Sequence, residues 1–165
     1  MEINCGENTY QAEEIIEKYN TMLFRLAMVR MQNEEDAKDV VQDTFLRLIQ
    51  YIQKGKVFND DEHLKAWLLT VAVNRGKSIL NLAWNRKTEG MEGIKELAAP
   101  EDKTEYAYEY VMQLPEKYRV AINLFYYEEL TTEQIAAIMK TKSATVRSYL
   151  HRGREKLKEM MEADE

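Results

Sequence analysis

The sequence predicts an all-α chain of two small helical domains joined by a linker, and three observations carry that expectation. Apolar residues recur at the spacing of amphipathic helices through most of the 165 residues, with no run that alternates like a strand. Only 6 Gly and 2 Pro interrupt it, while 45% of residues are apolar and 32% charged, the balance of a loop-poor protein and not of a sandwich or a disordered tail. One segment, residues 86–103, lacks periodicity altogether and holds Gly90, Gly93 and Pro100 among many acids, the mark of a linker. The domains are accordingly drawn at residues 1–85 and 104–165.

The elements follow in order. Ile15, Ile16, Tyr19, Leu23, Leu26, Ala27 and Met31 share helical spacing, so one or two helices cover residues 10–31. Asn33 ends that run and caps the next helix, because Glu34, Glu35 and Asp36 then suit the free amides and the dipole of a first turn. That helix is expected to reach about residue 50, and the polar stretch 53–62, with Gly55 and an Asn-Asp-Asp cluster, reads as a loop. A long helix over 63–84 carries Leu64, Trp67, Leu68, Val71, Ala72, Ile79 and Leu82 on one side. Beyond the linker, a short helix over 104–113 stops before Pro115, which opens a helix reaching about residue 127. Thr131 and Gln134 have the spacing of a capping box and start a helix of eight residues or so. Residues 140–143 make a short connection to a final helix over 144–160. Two helices so joined, the second basic, have the form of a helix-turn-helix.

Composition excludes several classes. The lone Cys5 can form neither an intrachain disulfide nor a zinc site, so a reduced, cytoplasmic setting is expected. The acid-rich first thirty residues hold no apolar signal core, and the longest apolar stretch, residues 66–73, is far too short for a span, so no membrane insertion is expected. The net charge of −6 argues against nucleic acid only on average. Residues 140–158 hold seven bases against the single acid Glu155, and residues 74–87 hold Arg75, Lys77, Arg86 and Lys87 with no acid. The acids gather over 33–43 and 88–110, so separate surfaces for DNA and for protein are expected.

Two helix faces carry chemistry. On the last helix Arg147, Ser148, His151 and Arg152 fall within a sector of about 140°, opposite Val146, Tyr149, Leu150, Gly153 and Leu157. Arg can grip guanine bidentately, so this face suits a major groove, with Arg147 and Arg152 expected to discriminate most, and Arg154, Lys156 and Lys158 expected to hold phosphates. On the helix after Asn33, Asp39, Gln42, Asp43 and Leu46 lie opposite the core stripe Ala37, Val40, Val41, Phe45 and Leu48. An exposed Leu rimmed by carboxylates is the pattern of a protein-binding patch.

At these residues a family resemblance emerges. Asp39-Val-Val-Gln42-Asp43-Thr-Phe45 resembles the Asp-Leu-Val-Gln-Glu-Thr-Phe motif of bacterial sigma factors of the extracytoplasmic-function group, and His63-Leu-Lys-Ala-Trp67-Leu-Leu with Asn74 is similar to their next helix. Leu114-Pro115-Glu-Lys-Tyr-Arg119 and Thr145-Val-Arg147-Ser148-Tyr-Leu-His151-Arg152-Gly-Arg154 resemble their second domain. The resemblance implies an alternative sigma factor. Its first domain (1–85) would bind core RNA polymerase and the minus-ten element, and its second (104–165) the minus-thirty-five element. An anti-sigma factor would control it, with no enzymatic activity, cofactor, metal or small-molecule substrate. Carried over by position, Asp39, Gln42 and Asp43 would meet the clamp helices of the largest polymerase subunit, and Asn74 with the loop 53–62 would handle the melted strand. Lys77, Asn81, Arg86 and Lys87 would join Asn74 at the minus-ten element, while Arg147, Ser148, His151, Arg152, Arg154 and Lys156 would serve the minus-thirty-five element. Trp67 is read as core, with stacking on an extruded base as the alternative. Arg75 falls on the apolar side of its helix, so an internal pairing and a DNA contact stand level.

The chain departs from the family at the turn, where Lys140 replaces the usual Gly, Lys142 the usual Pro and Ala144 a further Gly. A left-handed Lys140 would cost on the order of 1 kcal/mol. A helix-turn-helix repressor or activator acting without polymerase would share the second half but leave the Asp39 to Phe45 motif unexplained. A metal enzyme built on the acids at 34–43 fails because only Asp39 and Asp43 share a face.

Overall fold

The computed structural model describes residues 1–86 and 105–164, and for 76–86 and 105–107 the helical backbone alone. Seven helices are described: α1 (Ala12–Met31), α2 (Glu34–Gln53), α3 (Asp61–Arg86), α4 (Glu105–Val111), α5 (Glu116–Tyr126), α6 (Thr132–Met139) and α7 (Ser143–Ala163). The chain divides into two units, Met1–Gly90 and Met91–Glu165. Of the linker expected at 86–103, all but Arg86 lies outside the described residues.

In the first unit α1, α2 and α3 pack on one another through Ile15, Leu23, Leu26 and Val29, through Ala37, Val40 and Leu48, and through Leu64, Leu68 and Leu69, all buried. Asn33 caps α2 as its sequence context predicts, its Oδ1 accepting from the Asp36 amide at 3.0 Å. Trp67 is half-buried and sits against aromatic rings, 5.0 Å from Tyr51 and 5.8 Å from Phe58 between ring centres.

The expectation that no strand forms is corrected at the N-terminus. Strands β1 (Glu2–Cys5) and β2 (Asn8–Gln11) pair antiparallel, Ile3 opposite Tyr10 and Cys5 opposite Asn8, around the two-residue loop Gly6-Glu7. Gly6 has φ 65°, the left-handed value that a type II′ hairpin takes at its first central residue. Strands of four residues are too short for alternation to register, and only Ile3 and Cys5 among them are fully buried.

In the second unit α5 and α6 pack on α7 through Val120, Leu124, Ile135, Ile138, Val146 and Leu150. Gly153 allows close approach of α5 and α7, since a Cβ there would lie 2.6 Å from Ile122 Cδ1. Thr131 and Gln134 form the expected capping box, with bonds of 3.1 and 2.9 Å. Lys140 ends α6 in the left-handed conformation, φ 55° and ψ 49°, so the turn keeps the geometry that glycine would otherwise supply. Thr141 N donates to Ala136 O at 2.9 Å and holds that turn.

Candidate functional site

The first unit presents its patch on α2. Asp39 and Gln42 are exposed and Leu46 is 52% exposed, while Val40, Val41, Phe45 and Leu48 are buried behind them. An open groove of about 500 Å³ runs on from Gln42 between α1 and α2, lined by Asn20, Phe24, Lys38, Val41 and Phe45. The α1 side of this surface escaped the helix-by-helix reading, because it exists only once two helices pack.

Asp43 behaves differently from its neighbours. It is half-buried and ion-paired within the chain, with Arg75 of α3 and with Arg47 Nε at 3.3 Å. Arg75 thus has an internal partner on α2, in line with the first of its two readings. Asn74, the residue before Arg75 on α3, is half-buried, and Lys77, Asn81 and Arg86 lie where only the helical backbone is described. Lys87 lies outside the described residues.

The second unit holds the basic helix. Arg147, His151, Arg152, Arg154 and Lys156 are exposed and Ser148 is half-exposed, with Val146, Leu150 and Gly153 buried beneath. At the start of α7, Ser143 Oγ lies 3.1 Å from Thr132 Oγ1 and 3.3 Å from Glu133 Oε1, and accepts from Arg147 Nη1 at 2.9 Å. This network joins the two helix N-termini across the turn and orients Arg147. A hydrogen bond from its own backbone amide holds the Glu133 carboxyl below its ordinary value, assisted by Thr132, Ser143 and the Arg147 charge and opposed by desolvation.

The outward sector does not hold four equivalent side chains. His151 Nε2 lies 3.2 Å from Glu155 Oε1 on the open side. Arg152 instead hydrogen-bonds the Tyr118 hydroxyl of α5; that bond, with the charges of Arg152, Lys117 and Lys156, holds the phenol below its ordinary value against burial. Lys117 Nζ lies 5.8 and 5.6 Å from the ring centres of Tyr118 and Tyr149. Lys117, Arg152 and Lys156 thus form a cationic cluster at the start of α5, where a helix N-terminus also favours anions. A wheel drawn on α7 alone misses Lys117 and Tyr118, although both lie inside the Leu114-to-Arg119 motif.

Arg154 is occupied elsewhere. Its guanidinium lies over Phe125 and Tyr126, 5.6 and 5.5 Å from the ring centres, and its Nε donates to Tyr126 Oη at 2.6 Å. Arg154→Ala should therefore act on the packing of α5 against α7, lowering stability by about 1 kcal/mol. Thermal unfolding of the second unit would shift down while the salt dependence of promoter binding stayed as in the parent chain.

Two family models match the chain in order, sigma-70 region 2 over residues 15–84 and sigma-70 region 4 over residues 104–157. The chain belongs to the sigma-70 family. Similar relatives include the extracytoplasmic-function RNA polymerase sigma factor SigW of Bacillus subtilis, 26% identical over 90% of this chain and 87% of that protein. The extracytoplasmic-function sigma-E factor of Escherichia coli is 29% identical, over 86% of this chain and 88% of its own length. The sigma factor thus falls in the extracytoplasmic-function group. Its fold is similar to that of the sigma factor RpoE crystallised with the anti-sigma factor NepR from Bartonella quintana, with TM-score 0.74 and 21% identity over 93% of this chain and 98% of that one. It is also similar to CnrH in complex with the cytosolic domain of CnrY, with TM-score 0.64 and 20% identity over 93% of this chain and 89% of that one. Among the described residues no helix is long and apolar enough to cross a membrane, and no group of His, Cys, Asp or Glu is placed to hold a metal ion.

Proposed function

We infer that this sigma factor recruits core RNA polymerase to promoters in the cytoplasm and directs initiation there, with no catalysis of its own. The observation that carries the reading is the order of the two matches: region 2 falls on the unit that exposes Leu46 beside Asp39 and Gln42, and region 4 on the unit that ends in a basic helix-turn-helix. A repressor working without polymerase would leave the first match without a role.

Within that reading the polymerase-binding patch is Asp39, Gln42 and Leu46 with the groove beside them. Asp43 belongs to it chiefly as the residue that holds Arg75 and Arg47. Asn74, Lys77, Asn81, Arg86 and Lys87, with the connection between α2 and α3, are assigned to the minus-ten element. Arg147, Ser148 and His151 are assigned to base edges of the minus-thirty-five element, since residues near the start of a recognition helix reach bases first. Arg152, Lys156 and Lys117 are assigned to its phosphates. An anti-sigma factor is the expected regulator, a reading supported by the similar sigma factor RpoE, which was crystallised with the anti-sigma factor NepR. The deciding experiment is transcription by core enzyme supplied with this chain.

A further inference from the structure

The hairpin β1–β2 lies outside both family matches, the first of which begins at residue 15. Its contacts converge on residues 58–61, where the connection between α2 and α3 ends. The Phe58 amide donates to Asn4 O at 2.9 Å and the Gly6 amide donates to Phe58 O at 3.0 Å, so the connection pairs with β1 at Cys5 as a short parallel bridge. A Cβ on Gly6 would lie 2.3 Å from the Asn59 carbonyl oxygen, so close approach demands glycine here as firmly as the φ of 65° does. Tyr10 Oη donates to Asp61 Oδ2 at 2.8 Å, and that bond, with burial and the Asp61 charge, raises the phenol pKa and keeps it a donor. Ile3, Cys5 and Phe58 close the contact, each 1% exposed.

From the other side α3 holds the same residues. The Asn59 amide donates to His63 Nδ1 at 3.0 Å, and Asp60 Oδ1 accepts from the His63 amide at 2.7 Å. What stays outward is the tip, Lys54, Gly55, Lys56 and Val57, all exposed, with Val57 at 56%. Ordering a flexible connection at the moment of binding costs about 1–2 kcal/mol per residue, and a connection already held at one end avoids part of that cost.

We propose that the N-terminal hairpin is a brace that positions the α2–α3 connection so that its exposed tip meets the unpaired strand of the minus-ten element, with Gly6 and Tyr10 as positioning residues. The proposal rests on the assignment of that connection to the minus-ten strand. It is tested with full-length chain in holoenzyme, transcribing a promoter library randomised over the minus-ten element and sequencing the products. Gly6→Ala should compress the ratio between preferred and disfavoured minus-ten bases about tenfold and Tyr10→Phe about threefold. Affinity for core enzyme and preference at the minus-thirty-five element should stay at parental values. Lys56→Ala and Val57→Ala, made at the tip, are the controls. If they alter the minus-ten profile and neither hairpin variant does, the brace is overturned and the loop assignment stands. If the tip variants also leave the profile unchanged, both are overturned. Should Gly6→Ala lose helix content, Tyr10→Phe, which removes one oxygen atom, decides alone: a shifted profile supports the brace and an unchanged one overturns it.

Discussion

Leu46→Ala is expected to bind core RNA polymerase about 30-fold more weakly than the parent chain, the effect of removing an apolar anchor worth about 2 kcal/mol from an interface. Its thermal unfolding should be unchanged, because Leu46 is 52% exposed and lies outside the α1–α2–α3 core. Asp43→Lys makes the informative contrast. A lysine there removes the partner of Arg75 and Arg47 and sets a third cation beside them, so the first unit should lose about 2 kcal/mol of stability even without polymerase. Competition for core enzyme and thermal unfolding, measured on both variants, separate the two roles. A Leu46→Ala chain that competes at full strength would remove Leu46 from the interface.

The second large effect concerns the basic helix. Replacing Lys117, Arg152 and Lys156 together by Ala should weaken holoenzyme binding to every promoter alike and flatten the slope of log affinity against log salt by about 3, one counterion for each lost phosphate contact. Arg147→Ala should instead cost about 1–3 kcal/mol on the preferred promoter and relax preference at one or two minus-thirty-five base pairs. The difference follows from where the guanidiniums are held. Arg147 is oriented by Ser143 at the start of α7, whereas Arg152 lies on Tyr118 beside Lys117. Salt titrations and a panel of single-base promoter variants measure both. If Arg152→Ala relaxed base preference and left the slope unchanged, the phosphate assignment would be reversed.

What could be read from the sequence was local. Asn33, Thr131 and the helical stripes predict α2, α6 and α7 because caps and amphipathic spacing act within a few residues. The Leu46 patch was legible for the same reason, as an apolar residue on the wrong face of its own helix. The contacts that redefine the site are tertiary. Asp43 meets Arg75 across two helices and Arg152 meets Tyr118 across a helix-turn-helix, and a wheel drawn for one helix cannot contain either pairing. The hairpin is not legible because its strands have four residues each and the residue that bridges to them, Phe58, lies far along the chain. Lys140 is instructive in the opposite sense: without glycine the left-handed turn carries a cost, yet that backbone persists on a lysine, braced by Thr141 and the Ser143 network.

Transcription in vitro tests the central claim most directly. Core RNA polymerase free of other sigma factors, supplied with this chain and genomic fragments from the same organism, should produce transcripts from discrete start sites that share one upstream sequence pair, and the Leu46→Ala chain should produce far fewer. Chain-dependent transcripts absent from a reaction in which the chain is folded, and the same core enzyme responds to another sigma factor, would contradict the claim.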